Sequence, residues 1–381
     1  MKIQIFHNIL WSKYKAIIFS SLNNEAVHRK INIKFVQIAS TSGNRVGLSD
    51  VDLSYHQYPF KLLFEGSYDE IPKLLLNRKL FNEVWYTDAD LILIPGYHLV
   101  EYWSMLLAAR LRGKTVGVFC DSTAFDRPST FLKNLLKRIF FSQCAVIFGY
   151  GTRSHDYILS FGVPKDRIIF GCQAAALIHN YNVADVLARR NTTNVCPHRF
   201  LYVGRLSPEK NIADLIHAFN KVVSVYADAK LIIIGQGLLE KQLIELSVEL
   251  RLTDLIEFVG PKDMIYVCNE YLKADCLVLP SSSEPWGLVV NEALSFGCPV
   301  IVSNRCGCVP ELVIEGVTGY SFECGNIDDM ATKMIKASCN FVDKELTAKN
   351  CLDLMANFTP EIAANHILSG CINTLNIKNH S

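Results

Sequence analysis

Short runs of apolar and β-branched residues recur along the chain, and turn residues or polar breaks separate them. Within each run the apolar character is nearly continuous rather than alternating, which is typical of strands buried on both faces of a parallel sheet. In the first half these runs predict strands at Ile3–His7, Ile33–Ala39, Leu91–Pro95, Thr115–Cys120, Ala145–Phe148 and Ile168–Gly171. Helical patterns lie between them, for example at Tyr102–Leu111 and Thr130–Phe140.

The second half repeats this rhythm more clearly. Its predicted strands are Arg199–Val203, Lys230–Gly235, Ile256–Val259, Cys276–Pro280 and Pro299–Val302. Its predicted helices are Ile212–Val223, Leu239–Leu250, Met264–Ala274 and Leu288–Phe296. Such alternation predicts βαβ units with right-handed crossovers, so we expect an α/β protein with two doubly wound, Rossmann-like domains.

The length of 381 residues also favours two domains. We place an N-terminal domain at 1–175, a linker at 176–197 and a C-terminal domain at 198–359. The linker has no strand-like run and contains the polar patch Arg189–Asn194. A last helix within 360–381 is expected to pack back on the first domain. Ligands of open α/β sheets bind beyond the carboxyl ends of the strands, so we expect the active site in a cleft between two facing sheets.

Composition narrows the function classes. The net charge of +1 gives no overall field that would attract nucleic acid, and we expect no such partner. The thirteen cysteines are scattered singly, without the spacing of a metal site, which indicates a reducing compartment. The first residues lack the features of a signal peptide, and no uncharged apolar run is long enough to span a membrane, so we expect a cytoplasmic protein.

The segment 279–297, LPSSSEPWGLVVNEALSFG, is the richest in candidate chemistry. A buried strand runs into a polar loop with Glu284, and a helix that starts near Leu288 carries Glu292. The first backbone amides of that helix, near Gly287–Val289, lack intrahelical acceptors and suit a phosphate. The two carboxylates can accept hydrogen bonds from sugar and ribose hydroxyls. The alternative is that they only complement the helix dipole.

A second segment, FLYVGRLSPEKN at 200–211, ends a strand at Gly204 and places Arg205 and Lys210 around a turn. Two cations at the carboxyl end of a strand suit a diphosphate leaving group, because arginine offers a fork and lysine a point charge. A solvated loop followed by a helix N-cap is the alternative interpretation.

Two further loops follow strands of the same half. The strand at 232–235 runs into Gln236 and Gly237, where glycine lets the backbone approach a ligand. Pro261 lies in the loop after the next strand and is placed to touch a base. No strand is followed by a GxGxxG fingerprint, which disfavours a nicotinamide site.

Together these segments resemble the donor-binding domain of glycosyltransferase family 4, whose members are retaining enzymes with the GT-B fold. The resemblance covers about residues 198–335 and is weak in the first half. It rests on VGRLSPEKN at 203–211, IIGQG at 233–237, the spacing of Glu284 and Glu292 in SSSEPWGLVVNEALSFGCPVIVS, and PELVIEGVTGY at 310–320.

The resemblance implies a retaining, hexosyltransferase-type glycosyltransferase (EC 2.4) that uses a nucleotide-diphosphate sugar and needs neither metal nor cofactor. Arg205 and Lys210 would hold the diphosphate as it leaves, Glu284 would bind sugar hydroxyls and Glu292 the ribose. Catalysis would be mostly electrostatic, with the departing phosphate taking the acceptor proton. The other expected donor contacts are Gly204, Gln236, Gly237, Pro261, Trp286, Gly287, Leu288 and Val289.

The first half departs from the family's pattern. Family members commonly have a Gly-Gly loop after the first strand, whereas this chain has HNILWSKYKAIIF at 7–19. Lys13 or Lys15 could replace that phosphate contact, or both could be solvated loop charges. Where many relatives place a histidine near the end of the fourth strand, this chain has VFCDS. We expect Asp121 there to lie near the acceptor hydroxyl or donor sugar, or else to cap a helix.

Two motifs carry weaker signals. Asp88-Ala89-Asp90 resembles a metal-binding DxD motif, but it lies at the amino end of a strand, where ligands do not bind, so we expect a structural role. The helix FLKNLLKRIFFS at 131–142 combines three basic residues with apolar ones. It suits either peripheral contact with an anionic membrane or ordinary amphipathic packing.

The acceptor is expected to be a hydroxyl of a glycan, a lipid-linked saccharide or a small metabolite. Two alternatives to a transferase stay open. A GT-B nucleotide-sugar hydrolase or epimerase would keep the phosphate-binding loops without an acceptor pocket. A non-catalytic nucleotide-sugar-binding protein is the other, and the intact set of Arg205, Lys210, Glu284 and Glu292 argues against it.

Overall fold

The structure, a computed structural model, describes residues 1–43, 50–126, 130–192 and 198–380. The chain divides into two compact units. Unit 1 comprises Met1–Ala124, Pro128–Ala176 and Thr359–Ser381, and unit 2 comprises Phe125–Arg127 and Leu177–Phe358. Each unit holds one parallel β-sheet flanked by helices. The predicted class, α/β with two doubly wound Rossmann-like sheets, is confirmed.

Unit 1 contains a seven-stranded sheet in the order β3-β2-β1-β4-β5-β6-β7. Its strands are β1 Lys2–Ile9, β2 Asn32–Thr41, β3 Phe60–Ser67, β4 Leu91–Ile94, β5 Thr115–Cys120, β6 Val146–Gly149 and β7 Ile168–Ile169. Its helices are α1 Lys13–His28, α2 Lys73–Trp85, α3 Val100–Leu111, α4 Phe131–Ser142, α5 Thr152–Leu159 and, last in the chain, α14 Pro360–His380.

Strand β4 shows why its four residues are all apolar. Successive side chains of a strand point to opposite faces of the sheet. Leu91 and Leu93 pack into a core shared with α1 and α14, while Ile92 and Ile94 pack into a second core shared with α2, α3, α4 and α5. Both faces are covered, so no position of the strand tolerates a polar residue at low cost.

Unit 2 contains a six-stranded sheet in the order β10-β9-β8-β11-β12-β13. Its strands are β8 Arg199–Val203, β9 Lys230–Ile234, β10 Ile256–Gly260, β11 Cys276–Leu279, β12 Val300–Ser303 and β13 Gly319–Phe322. Its helices are α6 Val183–Thr192, α7 Ile212–Val223, α8 Glu240–Glu249, α9 Met264–Lys273, α10 Leu288–Ser295, α11 Val309–Leu312, α12 Ile327–Asn340 and α13 Lys344–Met355.

The sequence patterns missed two strands, β3 and β13, and both lie at an edge of their sheet. Most positions of β3 are partly or fully exposed, so it lacks the continuous apolar run of a central strand. The stretch 176–197, expected to be a linker, carries helix α6. Arg190 of α6 is buried and donates hydrogen bonds to the carbonyl oxygens of Tyr271 (3.1 Å) and Ala274 (2.7 Å), which anchors the helix in unit 2.

Helix α14 belongs to unit 1, where Ala363, Ala364 and Ile367 share a core with Ala16 and Phe19 of α1. The twelve cysteines within the described ranges lie outside any disulfide, and ten of them are buried. Along the same residues, none of the helices combines the length and the apolar character needed to cross a bilayer.

Candidate functional site

The strand order of unit 2 reverses between β8 and β11. From β8 the chain winds outward through β9 and β10, and from β11 it winds the other way through β12 and β13. In open α/β sheets this reversal leaves a crevice outside the carboxyl ends of the two central strands, and ligands bind there. The loops with the predicted residues Arg205 and Glu284 follow β8 and β11 directly.

Hydrogen bonds and an ion pair tie these two loops together. The backbone N–H of Ser282 donates to the carbonyl oxygen of Glu209 at 2.9 Å, and its hydroxyl donates to the same oxygen at 3.2 Å. The Lys210 ammonium pairs with the Glu284 carboxylate, and both side chains are mostly buried, at 12% and 19% exposure. The structure therefore brings together two predicted residues that lie 74 positions apart in the chain. Ser282 and Glu209 carried no recognisable signal of this role in the sequence.

Arg205 lies on the solvent-exposed side of the loop after β8. Its side chain is about half exposed, and its Nη2 lies 3.0 Å from Glu209 Oε1. Ser207 Oγ donates to that same oxygen at 2.7 Å, which orients the Glu209 carboxylate. The Tyr202 hydroxyl donates to the Arg205 carbonyl at 2.8 Å and fixes the backbone. The guanidinium is thus held from one side while its other donors remain accessible to a ligand.

The loop after β9 lies against the Arg205 loop. The N–H of Leu206 donates to the Gln236 carbonyl at 2.9 Å. A Cβ at Gly237 would lie 2.3 Å from the Leu206 carbonyl oxygen, and a Cβ at Gly235 would lie 1.8 Å from that of Gly204. Only glycine permits these approaches, so the glycines predicted to admit a ligand also permit the contact between two backbones.

The start of α10 presents backbone amides to the crevice. Gly287, the residue before the helix, has a φ of +104°, and no side chain caps the first turn. Leu288 and Val289 are partly exposed. Trp286 is buried and donates from its indole N–H to Asn291 Oδ1 at 2.7 Å. The buried Trp286 therefore anchors the loop to α10, while the amides of the first turn can bind an anion.

Glu292, one turn into α10, is partly buried. Tyr271 is buried and its hydroxyl donates to Glu292 Oε2 at 2.9 Å. Burial raises the pKa of Glu292 to about 7, although the hydrogen bond from Tyr271 acts in the opposite direction. The titration of this carboxyl group is therefore shifted from the acidic range towards neutral pH.

Pro261 lies further from this crevice than the other predicted donor residues. It follows β10, which is an edge strand separated from β8 by β9, and it is exposed. Contact with a ligand at the crevice would require that ligand to extend along the carboxyl edge of the sheet.

In unit 1, Asp121 directly follows β5 and is exposed. The helix-capping alternative can be compared with the next helix, α4. Its N-cap is Thr130, whose hydroxyl oxygen accepts from the N–H of Lys133 at 3.4 Å. Asp121 is therefore not the cap of α4.

The loop after β1 differs from the expectation for its lysines. Helix α1 begins at Lys13, which forms an ion pair with Asp52 at 3.1 Å. Lys15 is only 4% exposed, so the interpretation as a solvated loop charge is wrong for this residue. Its ammonium lies 4.8 Å from the ring centre of Phe119 and 5.1 Å from that of Tyr150.

Lys15 Nζ has no hydrogen-bond partner among the described residues. Burial lowers the pKa of Lys15 to about 8, with Cys172 and Asp121 acting in the opposite direction. The amides just before the helix are already used, because Leu10 and Trp11 donate to carbonyl oxygens at the end of β2, at 2.9 and 3.0 Å. These two amides cannot also hold a phosphate in this conformation.

Asp88 and Asp90 lie at the amino edge of the unit 1 sheet, next to the start of β4. The Asp88 carboxylate accepts from Lys2 at 2.7 Å and from Lys34 at 2.6 Å, and these hydrogen bonds hold its pKa below the usual range. Asp90 accepts from the backbone N–H of Lys2 at 2.8 Å. Both carboxylates therefore join the ends of neighbouring strands. Within the described ranges, no cluster of three or more His, Cys, Asp and Glu side chains is arranged as a metal site.

The part of the chain that contains these loops is similar to known glycosyltransferases. Residues 185–345 match the family model described as "Glycosyl transferases group 1". A glycogen synthase of Mycobacterium tuberculosis is 39% identical over 259 residues, which are 66% of this chain and 59% of that protein. A sulfoquinovosyl transferase of Arabidopsis thaliana is 32% identical over 286 residues, 70% of this chain and 53% of that protein. The chain thus spans between half and two thirds of the length of these curated relatives.

Among solved structures, the Anabaena protein HepE in complex with UDP superposes with a TM-score of 0.71. The match covers 98% of this chain and 100% of that one, at 18% sequence identity. This likeness concerns the fold alone. Residues 185–345 are thus similar to group 1 glycosyltransferases, and the whole chain shares its fold with HepE.

Proposed function

We propose that this protein is a retaining glycosyltransferase of family 4 that moves a sugar from a nucleoside-diphosphate donor to a hydroxyl acceptor without a metal ion. The observation that carries the proposal is the pairing of Lys210 with Glu284 at the point where the strand order of unit 2 reverses. The cation and the uncapped helix start suit the diphosphate end of a sugar diphosphate, and the carboxylate suits the hydroxyls at its sugar end.

Each group then has a defined role. Arg205 and Lys210 bind the diphosphate, and the amides of Leu288 and Val289 bind the same negative charge. Glu284 accepts hydrogen bonds from sugar hydroxyls, and Glu292 accepts them from the ribose. Gly204, Gln236 and Gly237 lie beside the donor, and Pro261 reaches its base. Asp121 is proposed to act on the acceptor side, next to the attacking hydroxyl.

In the reaction, the bond from the anomeric carbon to the diphosphate breaks and a bond from the acceptor oxygen forms on the same face of the sugar. The acceptor proton passes to the departing phosphate. Negative charge therefore grows on the phosphate as the bond breaks, and fixed positive groups lower the barrier because they need no reorganisation. Arg205 and Lys210 supply that charge in place of a metal ion.

The test is binding of nucleoside diphosphates in the presence of EDTA. UDP, GDP, ADP and dTDP are each added to the wild type, to Arg205→Ala and to Lys241→Ala, and the unfolding temperature is measured. A ligand at a hundred times its Kd stabilises a protein by about 2.7 kcal/mol, so the true donor nucleotide raises this temperature clearly. UDP is the first probe because the Anabaena structure holds UDP.

We expect one nucleotide to stabilise the wild type and Lys241→Ala, and to have a much weaker effect on Arg205→Ala. Lys241 is a suitable control because it is an exposed cation on α8. Stabilisation that requires Mg²⁺ would contradict the metal-free proposal. Equal stabilisation of all three proteins would place the nucleotide elsewhere. With the donor known, NMR of the sugar released or transferred reports whether the anomeric configuration is retained, and product analysis separates transfer from hydrolysis or epimerisation.

Two further proposals concern the cellular location and the contact with a membrane. Ten of the cysteines that the structure describes are buried and outside any disulfide, which suits a reducing compartment, and we place the protein in the cytoplasm on that ground. Contact with a membrane surface depends on helices of unit 1 and not on the donor site.

A further inference from the structure

Helix α4 exposes its apolar side to solvent. Five large apolar residues are between 43% and 86% exposed, with Phe131 at the upper limit. At about 100° per residue these five side chains fall within an arc of about 140°. The buried Phe141 lies on the opposite side of the helix, and the buried Phe140 lies about 40° beyond one edge of this arc. The five residues are Phe131, Leu132, Leu135, Leu136 and Ile139.

The neighbouring helix α3 extends this surface. Its Trp103 ring packs edge-on against Phe140 of α4, with ring centres 5.1 Å apart. Val100, Leu107 and Leu111 lie at helical spacing on the same face as Trp103 and are 74%, 55% and 63% exposed. The exposed apolar residues of α3 and α4 together are called the α3–α4 surface below. Contiguous apolar surface of this kind normally marks an interaction site.

The charges that α3 and α4 themselves expose have one sign. Helix α4 contains Lys133, Lys137 and Arg138 and no acidic residue. Lys133 and Arg138 are exposed and flank the apolar arc on its two sides. The one acidic residue of α3, Glu101, is buried and accepts a hydrogen bond from the Tyr68 hydroxyl at 2.6 Å. An apolar strip between cations fits a partner that is negatively charged at its surface and apolar just beneath it.

We infer that the α3–α4 surface docks unit 1 on an anionic lipid bilayer, with the apolar strip of α4 inserted at the level of the headgroups. The helix is too short to span a bilayer, so it lies in the plane of the interface. This inference is independent of the donor site in unit 2. It brings an acceptor presented at a membrane surface within reach of the protein.

The experiment is sedimentation of the full chain with vesicles, either of phosphatidylcholine alone or of phosphatidylcholine and phosphatidylglycerol in equal parts. We expect binding to the mixed vesicles, little binding to the neutral ones, and loss of binding in 0.5 M NaCl because salt screens the attraction. A first variant, Lys133→Gln with Arg138→Gln, should weaken partitioning to mixed vesicles at least about tenfold. A second variant, Phe131→Ser with Leu135→Ser, should weaken it at least about tenfold by removing inserted apolar area.

Matched controls lie on unit 2. Val248→Ser with Leu346→Ser removes two exposed apolar residues, and Lys241→Gln with Lys349→Gln removes two exposed cations. Both controls should bind mixed vesicles like the wild type. All changed residues are exposed, so the variants are expected to fold, and their nucleotide-induced thermal shift should equal that of the wild type.

Three results would overturn the inference. The first is no binding of the wild type to mixed vesicles. The second is equal loss of binding in the unit 2 controls. The third is a lipid-free dimer, detected by sedimentation velocity, that Phe131→Ser with Leu135→Ser dissociates, since the surface would then belong to a second copy of the chain. The nucleotide-induced shift is unaffected by these results, so failure here is distinct from failure of the donor site.

Discussion

Lys210 in unit 2 and Lys15 in unit 1 both follow the first strand of a parallel sheet, yet their surroundings differ. Lys210 is paired with Glu284, and its loop is bonded to the loop after β11. Lys15 is buried among aromatic rings without a hydrogen-bond acceptor in the described part of the chain. The comparison teaches that a lysine near a strand end is not by itself evidence of a phosphate site. The two lysines differ because only Lys210 has a carboxylate partner in the loop after a neighbouring strand.

The largest effect is expected for Lys210→Met. Removing a fixed cation beside the leaving diphosphate should lower turnover by a factor of about 10² to 10³. It should also lower the free energy of unfolding, because Glu284 is left largely buried without its partner. Turnover is measured as release of nucleoside diphosphate from the donor, and stability by urea unfolding.

The double variant Lys210→Met with Glu284→Gln separates the two effects. It removes the unpaired charge, so it should regain much of the lost stability while turnover stays low. Normal turnover in Lys210→Met would remove this residue from the proposed donor site.

The next largest effect is expected for Lys15→Met, which should stabilise the protein where Lys210→Met destabilises it. The folded-state pKa of about 8 lies below the ordinary lysine pKa of 10.5, so at pH 7 folding must bury a charged ammonium. Replacing it by an apolar side chain of similar length should raise the free energy of unfolding by about 1–3 kcal/mol at pH 7. The gain should shrink as the pH rises through 8 towards 10.5, and it should vanish above 10.5, where the wild-type lysine is neutral in both states. Urea unfolding at several pH values measures it.

Two controls accompany Lys15→Met. Lys15→Arg keeps the buried charge and should not stabilise the protein. Lys13→Met removes a partly exposed lysine from its ion pair with Asp52 and should change stability by about 1 kcal/mol or less. A loss of stability in Lys15→Met would show that its ammonium is better compensated than the structure indicates.

The smallest effect concerns Glu292. Burial raises its pKa to about 7, so the carboxyl group is mostly protonated at pH 6 and mostly ionised at pH 8. An ionised carboxylate is the better acceptor for ribose hydroxyls, so affinity for the donor nucleotide should rise with pH. Measured by calorimetry, the ratio of wild-type to Glu292→Gln affinity should increase several-fold from pH 6 to pH 8. The ratio cancels the titration of the nucleotide's own phosphate. A constant ratio would mean that Glu292 does not contact the bound nucleotide.

The central strands were predictable because burial on both faces leaves a direct mark in the sequence. The β8 segment Arg199–Val203 and the α7 segment Ile212–Val223 have the predicted bounds. Edge strand β3 leaves no such mark, because most of its positions are partly or fully exposed. Strand β13 is mostly buried, but its four residues, GYSF, are too few and too mixed to form an apolar run. Helix α6 was also hidden, since Arg190 appears polar in the sequence although carbonyl oxygens surround it in the fold.

The donor-site candidates could be chosen from the sequence because a strand end, a glycine and a helix start are local features. Local sequence determined the glycines at 235, 237 and 287, the uncapped start of α10, and the order of strands and helices. The tertiary structure alone decided that Lys210 meets Glu284, that Tyr271 faces Glu292, and that Lys15 is buried while Arg205 is not. The physical reason is that each of these depends on which strands are neighbours in the sheet, and that is set by the packing of the whole unit rather than by adjacent residues.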